Sequence, residues 1–243
     1  MVEVVHQRGS VADLHALDPF ARDPFALDRS GDTAAGAAPA IWWCDPTDAA
    51  VVLGARHRAE LVDAVAVAAA GLGIARRRSG GGAVLVDPAA VVWIDVVLPH
   101  GLAPDDVRTS MVWVGECWAS ALGALMADRG VAGELAVHRG GMVATPWSDL
   151  VCFAGLGPGE VVAGGRKLVG LSQRRTSAGV RVQGMVHRTP LTTRLARLFA
   201  VARPAAPLDE PASLAWLEGA PTAAALAAAV ARAVAAGGDP RPG

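Results

Sequence analysis

Residues 76–84 read RRRSGGGAV, and this stretch decides how the fold is interpreted. Three successive glycines allow the backbone to approach a ligand closely, and the arginines before them offer bidentate donors to a carboxylate or phosphate. The spacing fits neither the phosphate-binding GxxxxGK[ST] loop nor the dinucleotide-binding GxGxxG pattern. Taken alone, the stretch is also typical of a basic surface turn between two strands. Its candidate ligand-binding residues are Arg77, Ser79, Gly80, Gly81, Gly82, Ala83 and Val84.

A second stretch, residues 164–173, reads GGRKLVGLSQ and places Lys167 at the start of a predicted strand. A tight glycine turn fixes the position of such a lysine. Its ammonium can then contact a carbonyl or phosphoryl oxygen of a substrate as negative charge develops on that oxygen. An exposed hairpin lysine would give the same local pattern. Lys167 is therefore a candidate catalytic residue, and the purely structural interpretation stays open.

Together the two stretches resemble the lipoate protein ligases and their octanoyltransferase relatives. RR-x-S-GGGAV and GGRKLVG-x-SQ follow in the family's order, about ninety residues apart. The resemblance covers residues 41–188. It implies that the glycine loop wraps the acyl chain, and in the ligases the acyl adenylate, and that Lys167 is the catalytic group. It also implies ligand contacts for Gly170 and Gln183, and a role for Asp149 in orienting Lys167 or the incoming lysine.

Cys152 opens the stretch CFAGLGPGEVVAGGRK and separates two mechanisms. The Cys-Phe pair, with Glu160 and Lys167 after it, resembles the arrangement in cysteine-dependent octanoyltransferases, where the thiolate accepts the acyl group as a thioester. A thiol near cationic side chains attacks a thioester readily when its pKa falls. Free cysteines are, however, most often small buried residues. The intact GGG is ligase-like, since those octanoyltransferases commonly have arginine in place of Gly82.

The overall composition excludes several other classes of function. The 243 residues include 22 basic and 23 acidic side chains, a formal charge of -1, which predicts no bulk attraction to nucleic acid or an anionic membrane. Three cysteines without CxxC spacing argue against a disulfide framework or a structural zinc site. No signal-peptide pattern opens the sequence, so we expect a soluble, cytoplasmic protein. Four histidines lack the spacing of metal ligands, and we expect them in turns or at the surface. They are His57, His100, His138 and His187.

Apolar periodicity predicts an α+β (mixed α/β) architecture rather than a doubly wound parallel sheet. A long amphipathic helix that ends at Gly130 is its clearest element. The predicted strands cover residues 49–54, 91–99, 150–155, 160–162, 167–175 and 180–188. The predicted helices cover residues 59–70, 105–129, 191–201 and 222–236.

The resemblance implies the fold shared by biotin and lipoate protein ligases, which is a mixed sheet flanked by helices. To this we add a small helical C-terminal appendage. We divide the chain into three regions. Residues 1–40 are an N-terminal extension with a flexible loop at 29–39. Residues 41–190 are a lipoate ligase/octanoyltransferase-like catalytic domain, and residues 191–243 are the appendage.

The implied function is that of a lipoate protein ligase that uses ATP and Mg²⁺ to activate lipoate or octanoate as an acyl adenylate. The acyl group then passes to a lysine of a lipoyl carrier domain. One alternative is an ATP-independent octanoyltransferase that takes octanoyl from an acyl carrier protein through Cys152. Another is a catalytically reduced lipoyl- or acyl-binding protein, because Val86 and Gln183 stand where the family usually has histidine.

Overall fold

The structure is a computed structural model that describes residues 2–20, 38–131, 133–216 and 220–237. Of the flexible loop expected at residues 29–39, residues 29–37 lie outside the described residues. The strands are β1 (Glu3–Gly9), β2 (Ala40–Pro46), β3 (Ala50–Leu53), β4 (Gly73–Arg76), β5 (Val84–Val86), β6 (Val91–Pro99), β7 (Leu135–Val137), β8 (Val161–Ala163), β9 (Arg166–Thr176) and β10 (Gly179–His187). The α-helices are α1 (Val11–Ala16), α2 (Ala64–Ala69), α3 (Val107–Ala127), α4 (Thr192–Ala196) and α5 (Ala223–Ala236).

Within the described residues, seven strands form the larger sheet in the order β1-β2-β6-β10-β9-β8-β7. β1 and β2 are parallel, and the other neighbours are antiparallel. Every residue of β6 is buried, which confirms the strand expected from the apolar run at 91–99. The mixed sheet flanked by helices is likewise confirmed.

A smaller sheet has the order β4-β3-β5, with β3 parallel to β4 and antiparallel to β5. β4 ends at Arg76 and β5 begins at Val84. The glycine stretch is therefore the loop that joins the two outer strands across β3.

The helices α3 and α5 cover one face of the larger sheet. The Asp106 side chain caps the start of α3 by accepting a hydrogen bond from the backbone N–H of Thr109 at 2.6 Å. Gly130 follows the helix with a left-handed φ of 65°, as the sequence predicts for a C-terminal stop. The buried side chains of α5, among them Leu226 and Val230, belong to the same hydrophobic core as Trp118 of α3. The C-terminal helix is thus part of the main core.

By length and composition, α3 is the helix of the described ranges that is apolar enough to cross a membrane. Buried positions make up 56% of its most apolar window. That burial is the pattern of a helix in the core of a folded domain.

The opposite face of the larger sheet carries α1, α4 and the smaller sheet. Val11 and Leu14 of α1 share a second hydrophobic core with Leu195 of α4 and Val51 of β3. β1 pairs with β2 along its whole length. The structure therefore differs from our expectation for residues 3–16, which we placed in an extension and which carry β1 and α1 of the fold.

Three predicted elements are wrong, each because of a contact distant in sequence or a local cap. The helix expected at 59–70 starts only at α2, since Asp63 accepts hydrogen bonds from the N–H groups of Val65 and Ala66, both at 3.0 Å. The strand expected at 150–155 is a 3₁₀ turn at Cys152–Ala154. The helix expected at 191–201 stops after α4, because Phe199 forms a β-bridge with Val62.

Candidate active site

The glycine loop is a bend that only glycine can form at two of its positions. Gly81 has a left-handed φ of 92°, a conformation that residues with a side chain rarely adopt. A Cβ on Gly82 would lie 2.5 Å from the carbonyl carbon of Val151 and 2.6 Å from the nitrogen of Cys152. The loop therefore packs directly on the backbone of the segment that carries the cysteine.

Arg77 holds this bend from inside. Its Nη2 donates hydrogen bonds to the carbonyl oxygens of Gly80 at 2.7 Å and Gly82 at 2.6 Å. The residue is only 3% exposed. Within the described ranges, its Nη1 has no hydrogen-bond partner and no carboxylate forms an ion pair with it. Arg77 is thus a buried cation whose charge no side chain in the described part of the protein balances.

The two adjacent arginines have different environments. Arg76 donates to the backbone carbonyls of Gly54, Ala55 and His57, which fixes the neighbouring loop. Arg78 is exposed and pairs with Asp18 at 3.5 Å. Of the three arginines, Arg77 is therefore the one that faces the interior.

Cys152 is tied to the glycine loop by backbone hydrogen bonds. The N–H of Ala83 donates to the carbonyl of Leu150 at 2.7 Å, and the N–H of Cys152 donates to the carbonyl of Ala83 at 2.9 Å. A Cβ on Gly81 would lie 3.8 Å from the Cys152 Sγ. The thiol therefore lies against the glycine bend.

Lys167 reaches the same place from β9. Its Nζ donates to the carbonyl of Cys152 at 2.8 Å and to Glu160 Oε1 at 2.9 Å, and lies 2.8 Å from Glu160 Oε2. Glu160 also accepts from the N–H groups of Gly157 at 2.7 Å and Leu171 at 3.1 Å. The ion pair is buried, with Lys167 7% and Glu160 4% exposed, so the ammonium is held in one position.

Phe153 and His187 complete the surroundings of the ammonium. The Lys167 Nζ lies 5.2 Å from the centre of the Phe153 ring, a cation–π distance. The centre of the Phe153 ring lies 4.3 Å from the centre of the His187 ring. A Cβ on Gly170 would lie 2.8 Å from the Phe153 ring. Burial, with a smaller contribution from the Lys167 charge, lowers the pKa of His187 to about 4. The expectation that His187 lies in a turn or at the surface is therefore wrong.

A mostly apolar pocket opens between the glycine loop and β9 and β10. Its empty volume is about 380 Å³ including the mouth. Cys152 and Phe153 form part of its wall. The Lys167 ammonium contacts the backbone carbonyl of Cys152 and the ring of Phe153. The lining residues are His15, Arg77, Val84, Trp93, Cys152, Phe153, Gly170, Leu171, Ser172, Gln183, Gly184 and Met185.

Ser79 connects the glycine loop to β9. The residue is buried, and its hydroxyl donates to the hydroxyl of Ser172 at 3.1 Å. Because Ser172 lines the pocket, this hydrogen bond joins the loop to the strand that carries Lys167.

The other two cysteines are in different chemical environments from Cys152. Cys44 and Cys117 are buried, and Cys152 is partly exposed. Burial raises the pKa of the Cys117 thiol to about 12, and burial together with Asp95 raises that of Cys44. Both thiols are therefore protonated at neutral pH, and Cys152 is the thiol that lines the pocket.

Asp149 is not the residue that orients Lys167, which is one of the two roles that the resemblance implies for it. It is exposed, and its backbone carbonyl accepts a hydrogen bond from the His57 ring nitrogen at 2.8 Å. The carboxylate that binds the Lys167 ammonium is that of Glu160. Glu160 therefore orients Lys167 in place of Asp149, and the orientation of an incoming lysine by Asp149 stays a prediction.

The predicted site residues otherwise come together around one pocket. Arg77, the glycine loop, Cys152, Gly170 and Gln183 line or border it. His15 was missed, because it lies in the segment that we assigned to an extension. No sequence pattern marks it, since a lone histidine on a short helix is common.

A segment of the C-terminal region supports the site from behind. The Trp147 indole N–H donates to the carbonyl of Ala206 at 2.8 Å. The N–H of Ala212 donates to the carbonyl of Lys167 at 2.9 Å. Residues 206–212 therefore touch both the loop before Cys152 and the strand that carries Lys167.

The described ranges contain no cluster of side chains that could bind a metal ion. They contain no group of three or more His, Cys, Asp or Glu side chains arranged to hold a metal ion. The chemistry that the arrangement offers is thus an anion contact at Arg77, an ammonium at Lys167 and a thiol at Cys152, all around an apolar pocket.

The chain belongs to the family of lipoyl protein ligase A/B catalytic domains, which matches residues 16–213. Comparison with curated proteins gives no match.

Among solved structures, the chain is similar to lipoate-protein ligase A bound with ATP, with a TM-score of 0.62 and 18% identity over 83% of this chain and 73% of that one. It is also similar to a putative lipoate protein ligase from T. acidophilum with bound lipoic acid, with a TM-score of 0.66 and 17% identity over 97% of this chain and 84% of that one. A third similar structure is P. falciparum LipL1 in complex with lipoate, with a TM-score of 0.63 and 10% identity over 98% and 62%. These similarities show the shared fold.

Proposed function

We propose that this protein is a ligase that uses ATP, with Mg²⁺ bound by the nucleotide, to convert lipoate or octanoate into an acyl adenylate. The acyl group then passes to a lysine of a lipoyl carrier domain. The observation that carries this proposal is Arg77, a buried cation beside the pocket whose Nη1 lacks a partner in the described part of the chain.

An unbalanced buried charge is destabilising unless an opposite charge accompanies it. A carboxylate and the phosphate of an acyl adenylate both supply a negative charge, and the guanidinium binds either in a planar, bidentate way. The thioester of an acyl carrier protein has no charge at the reacting group. The requirement for an anion at Arg77 therefore favours a free acid and its adenylate as ligands.

The proposed reaction forms two bonds in turn. A carboxylate oxygen of the acid attacks the α-phosphorus of ATP, and pyrophosphate leaves. The amine of the carrier lysine then attacks the acyl carbonyl, loses a proton, and displaces AMP. In this proposal the Lys167 ammonium stays paired with Glu160 and donates one N–H, now bound to the Cys152 carbonyl, to the oxygen on which negative charge develops.

Related structures support the ligands and the carrier. One is bound with ATP and two with lipoic acid or lipoate. A bipartite ligase from Thermoplasma acidophilum, with a TM-score of 0.59 and 18% identity, is described together with its E2 lipoyl domain. The free cysteines fit a reducing cytoplasm, which we propose as the location.

A second candidate function rests on Cys152, whose thiol lies against the glycine bend and lines the pocket. In that mechanism the thiolate attacks an octanoyl thioester of an acyl carrier protein, whose own thiol leaves. The carrier lysine then attacks the new thioester. Cys152 is regenerated, and no ATP is used.

Mass spectrometry of an apo lipoyl carrier domain tests both candidates. We expect the carrier to gain the acyl mass with ATP, Mg²⁺ and free octanoate or lipoate, and Arg77→Gln to reduce this gain about tenfold or more, as removal of a charged hydrogen bond does. Arg78→Gln, an exposed neighbour, is the matched control and should keep the activity.

Other outcomes have distinct meanings. A mass gain only from the acyl carrier protein thioester, abolished by Cys152→Ala, would replace the ligase by the transferase. If neither donor modifies the carrier but the acid binds, the protein is an acyl-binding member of the family.

A further inference from the structure

One corner of the pocket is polar, although most of its wall is apolar. His15, Ser172 and Gln183 meet there, and the Gln183 amide nitrogen lies 3.3 Å from His15 Nδ1. His15 is only 6% exposed. The described chain gives its other nitrogen, Nε2, no hydrogen-bond partner.

The contact with Gln183 fixes which nitrogen of His15 carries the proton. An amide nitrogen can only donate, so Nδ1 must be the acceptor. Burial, with the nearby charges of Arg181 and Arg77, lowers the pKa of His15 to about 3. The ring is therefore neutral at physiological pH, and its single proton is on Nε2.

The ring of His15 is held in place. It packs on Trp93 with the ring centres 4.4 Å apart. Arg181 anchors the helix end by donating to the carbonyls of Leu14 at 3.0 Å and Leu17 at 2.7 Å. The Nε2–H group is thus a fixed donor on a ring that lines the pocket.

This corner is displaced along β9 and β10 from the residues that surround the Lys167 ammonium. Met185 is opposite Gly170 in the strand register, and Gln183 is opposite Ser172. Gly170 packs on Phe153, the ring that contacts the Lys167 ammonium. Gln183 and Ser172 are one pleat further along the same face, so an acyl chain that starts near Lys167 extends towards His15.

We propose that the pocket selects acyl groups that carry an oxygen acceptor, a hydroxyl or oxo group, on the distal part of the chain, and that His15 Nε2–H donates to that oxygen. This inference rests on the proposed function, since it takes the pocket to be the acyl site. Octanoate has no such acceptor, and the ring sulfurs of lipoate are only weak ones.

The expected selectivity follows from the buried donor. A plain alkyl chain in this corner would leave Nε2–H without a partner and exclude water from it. A site built to hydrogen-bond a polar group discriminates against the analogue that lacks the group. We therefore expect the best hydroxylated acid to bind about tenfold or more tightly than octanoate.

Calorimetric titration of free acids tests the proposal without requiring turnover. The ligands are octanoate and a series of monohydroxy-octanoates in which the hydroxyl moves along the distal half of the chain. We expect at least one hydroxylated acid to be preferred by the wild-type protein, and His15→Phe, which keeps a ring against Trp93, to remove the preference. His6→Phe is the matched control, because His6 stacks on Trp43 with the ring centres 4.1 Å apart and is not a pocket residue.

A second variant guards against misfolding of His15→Phe. Gln183→Met removes the donor that fixes the His15 tautomer, so the preference should weaken. Equal binding of octanoate and every hydroxylated acid by the wild-type protein, or a preference that survives His15→Phe, would overturn the inference while leaving acyl transfer intact. If no acid binds and none is transferred to the carrier, the proposed function itself fails.

Discussion

Lys167 and Glu160 form an ion pair inside the protein, where each side chain is only 5% exposed. Each partner has further hydrogen bonds, from Lys167 to the carbonyl of Cys152 and from the N–H groups of Gly157 and Leu171 to Glu160. Removal of one charge therefore leaves the other buried without compensation. Removal of both is milder, since no buried charge remains.

A double-mutant cycle tests this coupling. We expect Glu160→Gln and Lys167→Met each to lower the free energy of unfolding by roughly 3–5 kcal/mol, and the double variant to lower it by less than their sum. Urea unfolding measures all three. The exposed pair Glu116–Arg139 is the control, where Glu116→Gln should change stability by less than about 1 kcal/mol. Additive effects would show that Lys167 and Glu160 are not coupled.

Two neighbouring glycines of the loop should respond very differently to alanine. At Gly82 a Cβ would overlap the backbone of Val151 and Cys152, whereas at Gly80 nothing lies within 4 Å of one. We expect Gly82→Ala to destabilise the protein by roughly 1–3 kcal/mol and to reduce acyl transfer. Gly80→Ala should stay within about 0.5 kcal/mol of wild type. Thermal unfolding and the carrier assay measure both effects, and equal behaviour of the two variants would contradict the packing described for the loop.

At the residue scale, the sequence predicts the parts of the site that its motifs contain. Lys167 and the glycine loop were named from the pattern, and the structure brings them together through Cys152 and Phe153. The ion-pair role of Glu160 and the position of His15 could not be read in this way. His15 reaches the pocket only because α1 packs beneath the larger sheet, a contact that no local spacing encodes.

The element α5 stabilises the catalytic domain, because its apolar face fills the core beneath α3. Leu226 is fully buried there, whereas Arg232 on the same helix is exposed. We expect Leu226→Ala to lower the free energy of unfolding by about 2–5 kcal/mol and Arg232→Ala to leave it within about 0.5 kcal/mol of wild type. Denaturant unfolding with a single transition would report both. A small effect at Leu226 would mean that the helix is a separate unit.

At the element scale, the long apolar patterns predicted their elements correctly, whereas three of the shorter patterns did not. The strand at 91–99 is a nearly continuous apolar run and the helix α3 spans 21 residues, so each segment is long enough for its pattern to predict its structure. Residues 150–155 look like a strand, but the turn at Cys152–Ala154 arises because Ala83 pairs with Val151 from a distant loop. Short segments adopt whatever their tertiary contacts require.

The stability of the whole molecule should fall in mild acid. Burial lowers the pKa of His15 to about 3 and that of His187 to about 4, from the usual 6.5. Below about pH 6.5 the unfolded chain takes up protons at these residues and the folded chain does not, so the free energy of unfolding decreases as the pH falls towards 4. At about pH 5 each histidine removes roughly 2 kcal/mol relative to neutral pH.

Unfolding measured between about pH 7 and pH 5 checks this dependence. His187→Leu should make the decline shallower by the share of one histidine. His100→Gln, at an exposed position, should leave the decline unchanged. An identical slope for His187→Leu and wild type would show that His187 is not held neutral by the fold.

The contacts of residues 206–212 with Trp147 and Lys167 also determine when the site can exist during synthesis. The glycine loop, Cys152 and Lys167 are all synthesised before Ala212. The backbone carbonyl of Lys167 accepts its hydrogen bond from the N–H of Ala212 only after that later residue has been added. A nascent chain that has just produced β10 therefore holds every reactive group of the pocket without the brace behind them. We therefore expect the complete pocket to form late in translation.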